Sequence, residues 1–185
     1  MNMKATFHND IGKFYDHVFP YLIRNELENS LPLSILKSLK TNIHRYGKES
    51  PILFSLTKDK SIKLVSLMTP PFDIIISYTE DLDSIEILVE ELTKREVFLP
   101  GVLSFKEAAN KFTKLWCEKN SLESKLLRRE RIYKLTEVSE ETLGNKNFSV
   151  ATKSYQSIVL EWSRKFAAEA LSETTEEQLQ RTISN

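Results

Sequence analysis

The chain has 185 residues, 41% hydrophobic and 28% charged, the composition of an ordinary soluble globular protein. Lys plus Arg and Asp plus Glu number 26 each, so the formal net charge is zero. That argues against nucleic-acid and membrane-surface binding, which need a basic excess, and removes long-range repulsion between copies. Cys117 is the single cysteine, which excludes an internal disulfide and any zinc site built on several cysteines. No signal-peptide run opens the chain, and no stretch nears the ~18 uninterrupted apolar residues that span a membrane. A cytoplasmic protein is expected.

From residue 11 to 28 the apolar residues Ile11, Phe14, Tyr15, Val18, Phe19, Leu22 and Ile23 recur at three- and four-residue steps. This predicts an amphipathic helix, kinked or divided at Pro20. Ser30 reads as the N-cap of a second helix, with Pro32 in its first turn and Leu33, Ile35, Leu36 and Leu39 inward. Three β-rich runs follow at residues 51–57 (PILFSLT), 62–68 (IKLVSLM) and 73–78 (DIIISY), with Pro70 and Pro71 marking the gap before the third. A helix from Asp83 or Ser84 to Arg95 comes next, then a short apolar strand at 97–99 ending at Pro100-Gly101. Residues 105–119 read as a helix carrying Ala108, Phe112, Leu115 and Trp116, and residues 128–138 (RRERIYKLTEV) as a strand. The order predicts a mixed α/β (α+β) fold, one mixed sheet flanked by helices.

The polar stretch at 139–147 (SEETLGNKN) reads as a linker. Beyond it, residues 148–152 are expected as a strand and 154–171 as an amphipathic helix with Ile158, Val159, Trp162, Phe166 and Ala170. A short polar helix should begin at Thr174 or Thr175. This tail is the start of a second unit whose apolar face needs a partner. It would dock on the first domain, on a missing segment or on another copy of the chain.

Five stretches taken together resemble bacterial two-domain GNAT acetyltransferases. They are Glu26-Leu27-Glu28-Asn29; Met68-Thr69-Pro70-Pro71 with Ile74-Ile75-Ile76-Ser77; Leu99-Pro100-Gly101-Val102 leading to Ala108, Phe112 and Trp116; Arg131-Ile132-Tyr133-Lys134-Leu135 with Val138; and Leu160, Trp162, Phe166 and Glu169 in the tail. The resemblance implies a GNAT-like N-terminal domain over 1–140, a linker at 141–147, and at 148–185 the opening strand and helices of an incomplete second GNAT domain. In that family the two helices that open a domain and their connection line the acceptor side, and acetyl-CoA sits further on. There a Gln/Arg-x-x-Gly-x-Gly/Ala loop opens a helix and its N–H groups bind the pyrophosphate. This chain carries Gly12, Gly47, Gly101 and Gly144, none near another, so that loop is absent. No cofactor-binding residues are assigned and no cofactor is expected for this chain, acetyl-CoA being the family's.

Most single residues have a plainer reading than a functional one. Thr69-Pro70-Pro71 is read as an edge-strand turn rather than a cleft wall, Trp116 as a core anchor, and Cys117 as structural because no His or Asn motif accompanies it. His8, His17 and His44 lack metal-ligand spacing, so no metal site is expected. The basic run Lys125, Arg128, Arg129, Arg131 and Lys134 is interleaved with Glu123, Glu130 and Glu137 and reads as a solvated strand edge. Glu80, Asp81, Asp83, Glu86, Glu90 and Glu91 sit where a helix dipole favours them, although they would also attract an amine. Tyr155, Trp162, Phe166 and Glu169 form the candidate interface or acceptor-side set, and self-association through the C-terminal helix is the expected partnership.

Two functions lead from sequence, and a third reading, an α/β interaction protein unrelated to that family, stays open. The first is a GNAT-related protein without independent catalysis, a binding protein or a truncated gene product. The second is an active N-acetyltransferase with an atypical acetyl-CoA site in its first domain, near Pro70-Pro71, with Glu26 or a tyrosine as base. Catalytic residues and a small-molecule ligand remain unassigned.

Overall fold

A computed structural model describes residues 3–142, 144 and 149–170. The chain divides into two units, residues 1–134 and 135–185.

In the first unit the order is β1 (Met3–His8), α1 (Ile11–Leu22), α2 (Ser30–Thr41), β2 (Ile52–Lys58), β3 (Ser61–Met68), β4 (Ile74–Ile76), α3 (Ser84–Lys94), β5 (Val102–Leu103) and α4 (Lys106–Asn120). The five strands make one mixed sheet in the order β1-β2-β3-β4-β5. The first four pair antiparallel in succession, and β5 joins β4 in parallel. Such a parallel neighbour needs a crossover, which α3 supplies.

The central strands are apolar on both faces because both are covered. On one side Phe54, Leu56, Leu64, Met68, Ile74 and Ile76 meet Ile85, Leu88 and Leu92 of α3 and Phe112 and Trp116 of α4. On the other, Leu53, Val65 and Leu67 meet Phe14, Val18 and Leu22 of α1 and Ile35, Leu36 and Leu39 of α2. Alternation along β2 to β4 feeds the two cores in turn, since successive side chains point to opposite faces. Truncating a fully buried member such as Leu36 or Leu88 to alanine costs about 2–5 kcal/mol.

Several local expectations change. β1 was not foreseen, and it pairs along its whole length with β2, from Met3↔Lys58 to His8↔Leu53. Helix α1 runs through Pro20, ends two residues later and tightens into a 3-10 turn at Ile23–Asn25. Ser30 is the first residue of α2 rather than its cap. Asn29 holds the cap position, and its side chain makes no capping bond. The short strand falls at β5, beyond Pro100-Gly101 instead of before it. There Ile74 N–H donates to Gly101 O at 3.0 Å, and a Cβ on Gly101 would lie 2.7 Å from the Asp73 carboxylate. A side chain at 101 would have to displace the Asp73 carboxylate.

The expected strand at 128–138 does not form. Residues 122–139 have no regular structure and are exposed, Tyr133 and Leu135 included. Strand propensity becomes a strand only where a neighbour offers a ladder. In the second unit, residues 149–152 likewise form no strand, while Phe148 lies outside the described residues. The described structure of that unit is helical: 3-10 turns at Glu140–Thr142 and Lys153–Tyr155, then α5 (Gln156–Ala170). The polar helix expected from Thr174 or Thr175 falls outside the described residues. Among those residues no helix is long and apolar enough to cross a membrane.

Candidate functional site

The carboxyl ends of β4 and β5 are where a parallel strand pair ordinarily receives a ligand. Pairing here is short, Ile74↔Val102 and Ile75↔Leu103, extended by Ser104 Oγ donating to Ile76 O at 3.1 Å. Past that point the chain bonds to itself. Ser77 N–H donates to Val65 O at 2.9 Å, and Ser77 Oγ accepts Val65 N–H at 3.1 Å. Tyr78 N–H donates to Asn29 Oδ1 at 2.9 Å. Thr79 Oγ1 donates to Lys63 O at 2.7 Å and accepts Asp81 N–H at 3.1 Å. The rings of Tyr78 and Phe105 meet edge to face, with centroids 5.3 Å apart. Backbone donors that a ligand would seek at Ser77, Tyr78 and Asp81 are therefore already bonded.

Tyr21 belongs to the same construction. Its hydroxyl lies 2.8 Å from both Lys63 O and Tyr78 O, and burial pushes its pKa up. A phenol held protonated in this way is a poor general base. Glu26, the other candidate base, is exposed in the α1–α2 connection.

The loop from β4 into α3, residues 77–83, contains no glycine. It carries Glu80, Asp81 and Asp83, and Glu86 follows in the first turn of α3. Lys111 of α4 reaches across to Glu86 at 2.8 Å and Asp83 at 3.1 Å. Its pKa is raised, chiefly by the hydrogen bond to Glu86. The acidic group thus has a structural counter-ion as well as a favourable helix dipole.

Other sequence-predicted residues fall only partly where their plainer readings put them. Thr69-Pro70-Pro71 forms a tight turn in which Phe72 N–H donates to Thr69 O at 3.0 Å, but it joins the inner strands β3 and β4 and not an edge strand. Trp116 is buried and stacked on Phe112, with centroids 5.8 Å apart. Cys117 is half-buried. The basic run at 125–134 is exposed, with Arg128 paired to Glu130 at 3.4 Å, but it lies on irregular chain and not on a strand edge. No cluster of three or more His, Cys, Asp or Glu with metal-holding geometry occurs among the described residues.

Sequence reasoning missed two groupings. His8 Nε2 lies 2.8 Å from Ser55 Oγ, and its ring is 5.6 Å from that of His17. Asn29 is fully buried and joins α1 to β4. Neither leaves a local signal, because the partners are 47 and 49 residues away.

In the second unit Ile158, Trp162, Phe166 and Glu169 recur at four- and three-residue steps along α5, while Tyr155 lies in the 3-10 turn just before it. All are exposed, Trp162 at 67% and Phe166 at 62%. The adjoining flank is less open: Val159, Leu160 and Ser163 are half-buried and Ala167 is buried.

No family model and no curated protein matches this chain. Among solved structures, one similar chain is a predicted acetyltransferase with acetyl-CoA from Clostridium acetobutylicum, at 13% identity and a TM-score of 0.35. The alignment covers 70% of this chain and 96% of that one. A likeness of that degree does not place the chain in a family. What the fold defines is a mixed α/β protein with a five-stranded mixed sheet flanked by helices.

Proposed function

We propose that this chain is a GNAT-related binding protein that does not transfer acetyl groups by itself and engages its partner through α5. The observation that carries this is the β4–α3 loop. At the one parallel strand pair among the described residues, the helix N-terminus that would cradle a pyrophosphate follows a glycine-free loop with three carboxylates, and its nearby amides are taken.

Magnitudes favour the same reading. A phosphate charge about 4 Å from one of these exposed carboxylates is opposed by about 1 kcal/mol in water, and three of them lie in the loop. A helix N-terminus returns about 0.3–1 kcal/mol, no more than one such carboxylate takes away. Lys111 offsets part of that repulsion at Asp83 and Glu86. The relation to acetyltransferases is supported by the five sequence stretches and by the opening of the first unit, a strand followed by two helices, as the resemblance implies for a GNAT domain.

An acetyl-transfer assay tests the reading. The purified chain, given acetyl-CoA and a panel of primary amines, should release free CoA thiol no faster than buffer. Turnover proportional to protein and abolished by Glu26→Gln would instead establish the active enzyme with an atypical cofactor site.

A further inference from the structure

His8 ends β1 and His17 lies midway along α1, so neither helical nor strand spacing relates them. The fold brings them together. In the β1–β2 register His8 stands opposite Leu53, and Ser55 follows Leu53 on the same face of β2. That face is the one α1 covers. The His8 ring is 4.8 Å from Phe14, and His17, one turn beyond Phe14, sets its ring 5.6 Å from His8. We propose that His8 and His17 form a two-imidazole site for a divalent transition-metal ion of the zinc type, with water completing its coordination.

The geometry suits such an ion. Zinc–nitrogen bonds of about 2.0–2.1 Å put an imidazole centroid about 3.2 Å from the metal, and a tetrahedral angle then separates two centroids by about 5.2 Å. The observed 5.6 Å is a small ring movement from that value, and His17 is exposed and able to make it. His8 is already oriented. Its Nε2 lies 2.8 Å from Ser55 Oγ, and with that nitrogen donating, Nδ1 keeps the lone pair a metal needs. Metal-binding imidazoles are fixed in this way by a bond from the far nitrogen, and Ser55 receives it from a buried position.

Ligand chemistry selects the ion. Imidazole nitrogen suits zinc, copper and nickel, whereas magnesium and calcium require oxygen donors. Among the described residues no third His, Cys, Asp or Glu completes a metal cluster. Structural zinc sites with four protein ligands bind with dissociation constants of about 10⁻⁷ to 10⁻¹² M. Half the ligands supply about half the free energy, which corresponds to about 1–200 µM. Lys4, whose charge reaches His8, works against anything tighter. Bound there, the ion clips the edge strand β1 to α1, so it stabilises the folded chain in proportion to its occupancy. The inference depends neither on acetyl-CoA nor on the role of α5.

Calorimetric titration of the full chain with zinc chloride at about pH 7.5 should reveal a saturable site in that range, and magnesium chloride none. His17→Gln is an exposed change, and His8→Gln keeps a hydrogen-bonding group for Ser55. Each should weaken zinc binding at least about tenfold. His44→Gln and Cys117→Ser should not alter it. Copper(II) on the full chain should show two nitrogen ligands by electron paramagnetic resonance, and fewer in either glutamine variant. Zinc at about 1 mM should raise the urea midpoint of the full chain and leave that of His17→Gln unchanged. No saturable binding up to about 1 mM zinc overturns the proposal. Zinc binding that survives both glutamine variants, or a copper spectrum with a single nitrogen, overturns it equally.

Discussion

Asn29 Oδ1 accepts the backbone N–H of Tyr78 at 2.9 Å, while the Asn29 amide nitrogen donates to Leu22 O at 3.0 Å. One fully buried side chain thus ties the end of α1 to the strand end where a ligand crevice would otherwise open.

Removing that tie leaves a buried donor and a buried acceptor unpaired, each worth about 1–3 kcal/mol. Asn29→Ala should therefore destabilise the chain by about 2–4 kcal/mol in denaturant unfolding, with the slope unchanged. Asn29→Asp should fare no better. It keeps an acceptor for Tyr78 but sets a buried negative charge against the Leu22 carbonyl.

His8 supplies a pH dependence. Its pKa is held below the ordinary 6.5, first by burial and then by His17 and Lys4. The unfolded chain consequently binds more protons between the two values. The stability that His8 supports is complete above pH 6.5 and is lost as the pH falls from there through the folded value. Urea midpoints measured between about pH 7.5 and 5 should fall less in His8→Gln, which keeps a hydrogen-bonding partner for Ser55 but does not titrate.

The β2–β3 hairpin turns on Asp59 and Lys60, with φ of 48° and 68°. Two successive positive φ values suit a type I′ turn, and asparagine or aspartate followed by glycine is its favoured pair. Lysine in this conformation costs about 1 kcal/mol or more, of which the unfolded-state entropy of glycine returns part. Lys60→Gly should raise stability by about 0.5–1 kcal/mol, read as a thermal midpoint a few degrees higher.

The strands β2, β3 and β4 were legible because their apolar runs are long enough to stand out from polar surroundings. The helices were legible from their periodic faces. β1 was missed because an edge strand such as MKATFH carries few inward apolar residues. β5 was missed because two residues show no pattern. The error at 128–138 ran the other way: Ile132, Tyr133 and Val138 have the propensity, but no described strand pairs with them. At the candidate site the missing glycine loop was visible in the sequence. The occupied amides were not, since the partner of Asn29 lies 49 residues away.

The central claim is that the strand end between β4 and α3 does not receive acetyl-CoA. Isothermal titration of the purified full chain with acetyl-CoA, and separately with free CoA, tests this most directly. The account predicts no saturable heat with either ligand up to about 1 mM. Saturable binding at micromolar concentration, weakened by Tyr78 or Phe105 substitutions, would contradict it and make this strand end a cofactor site.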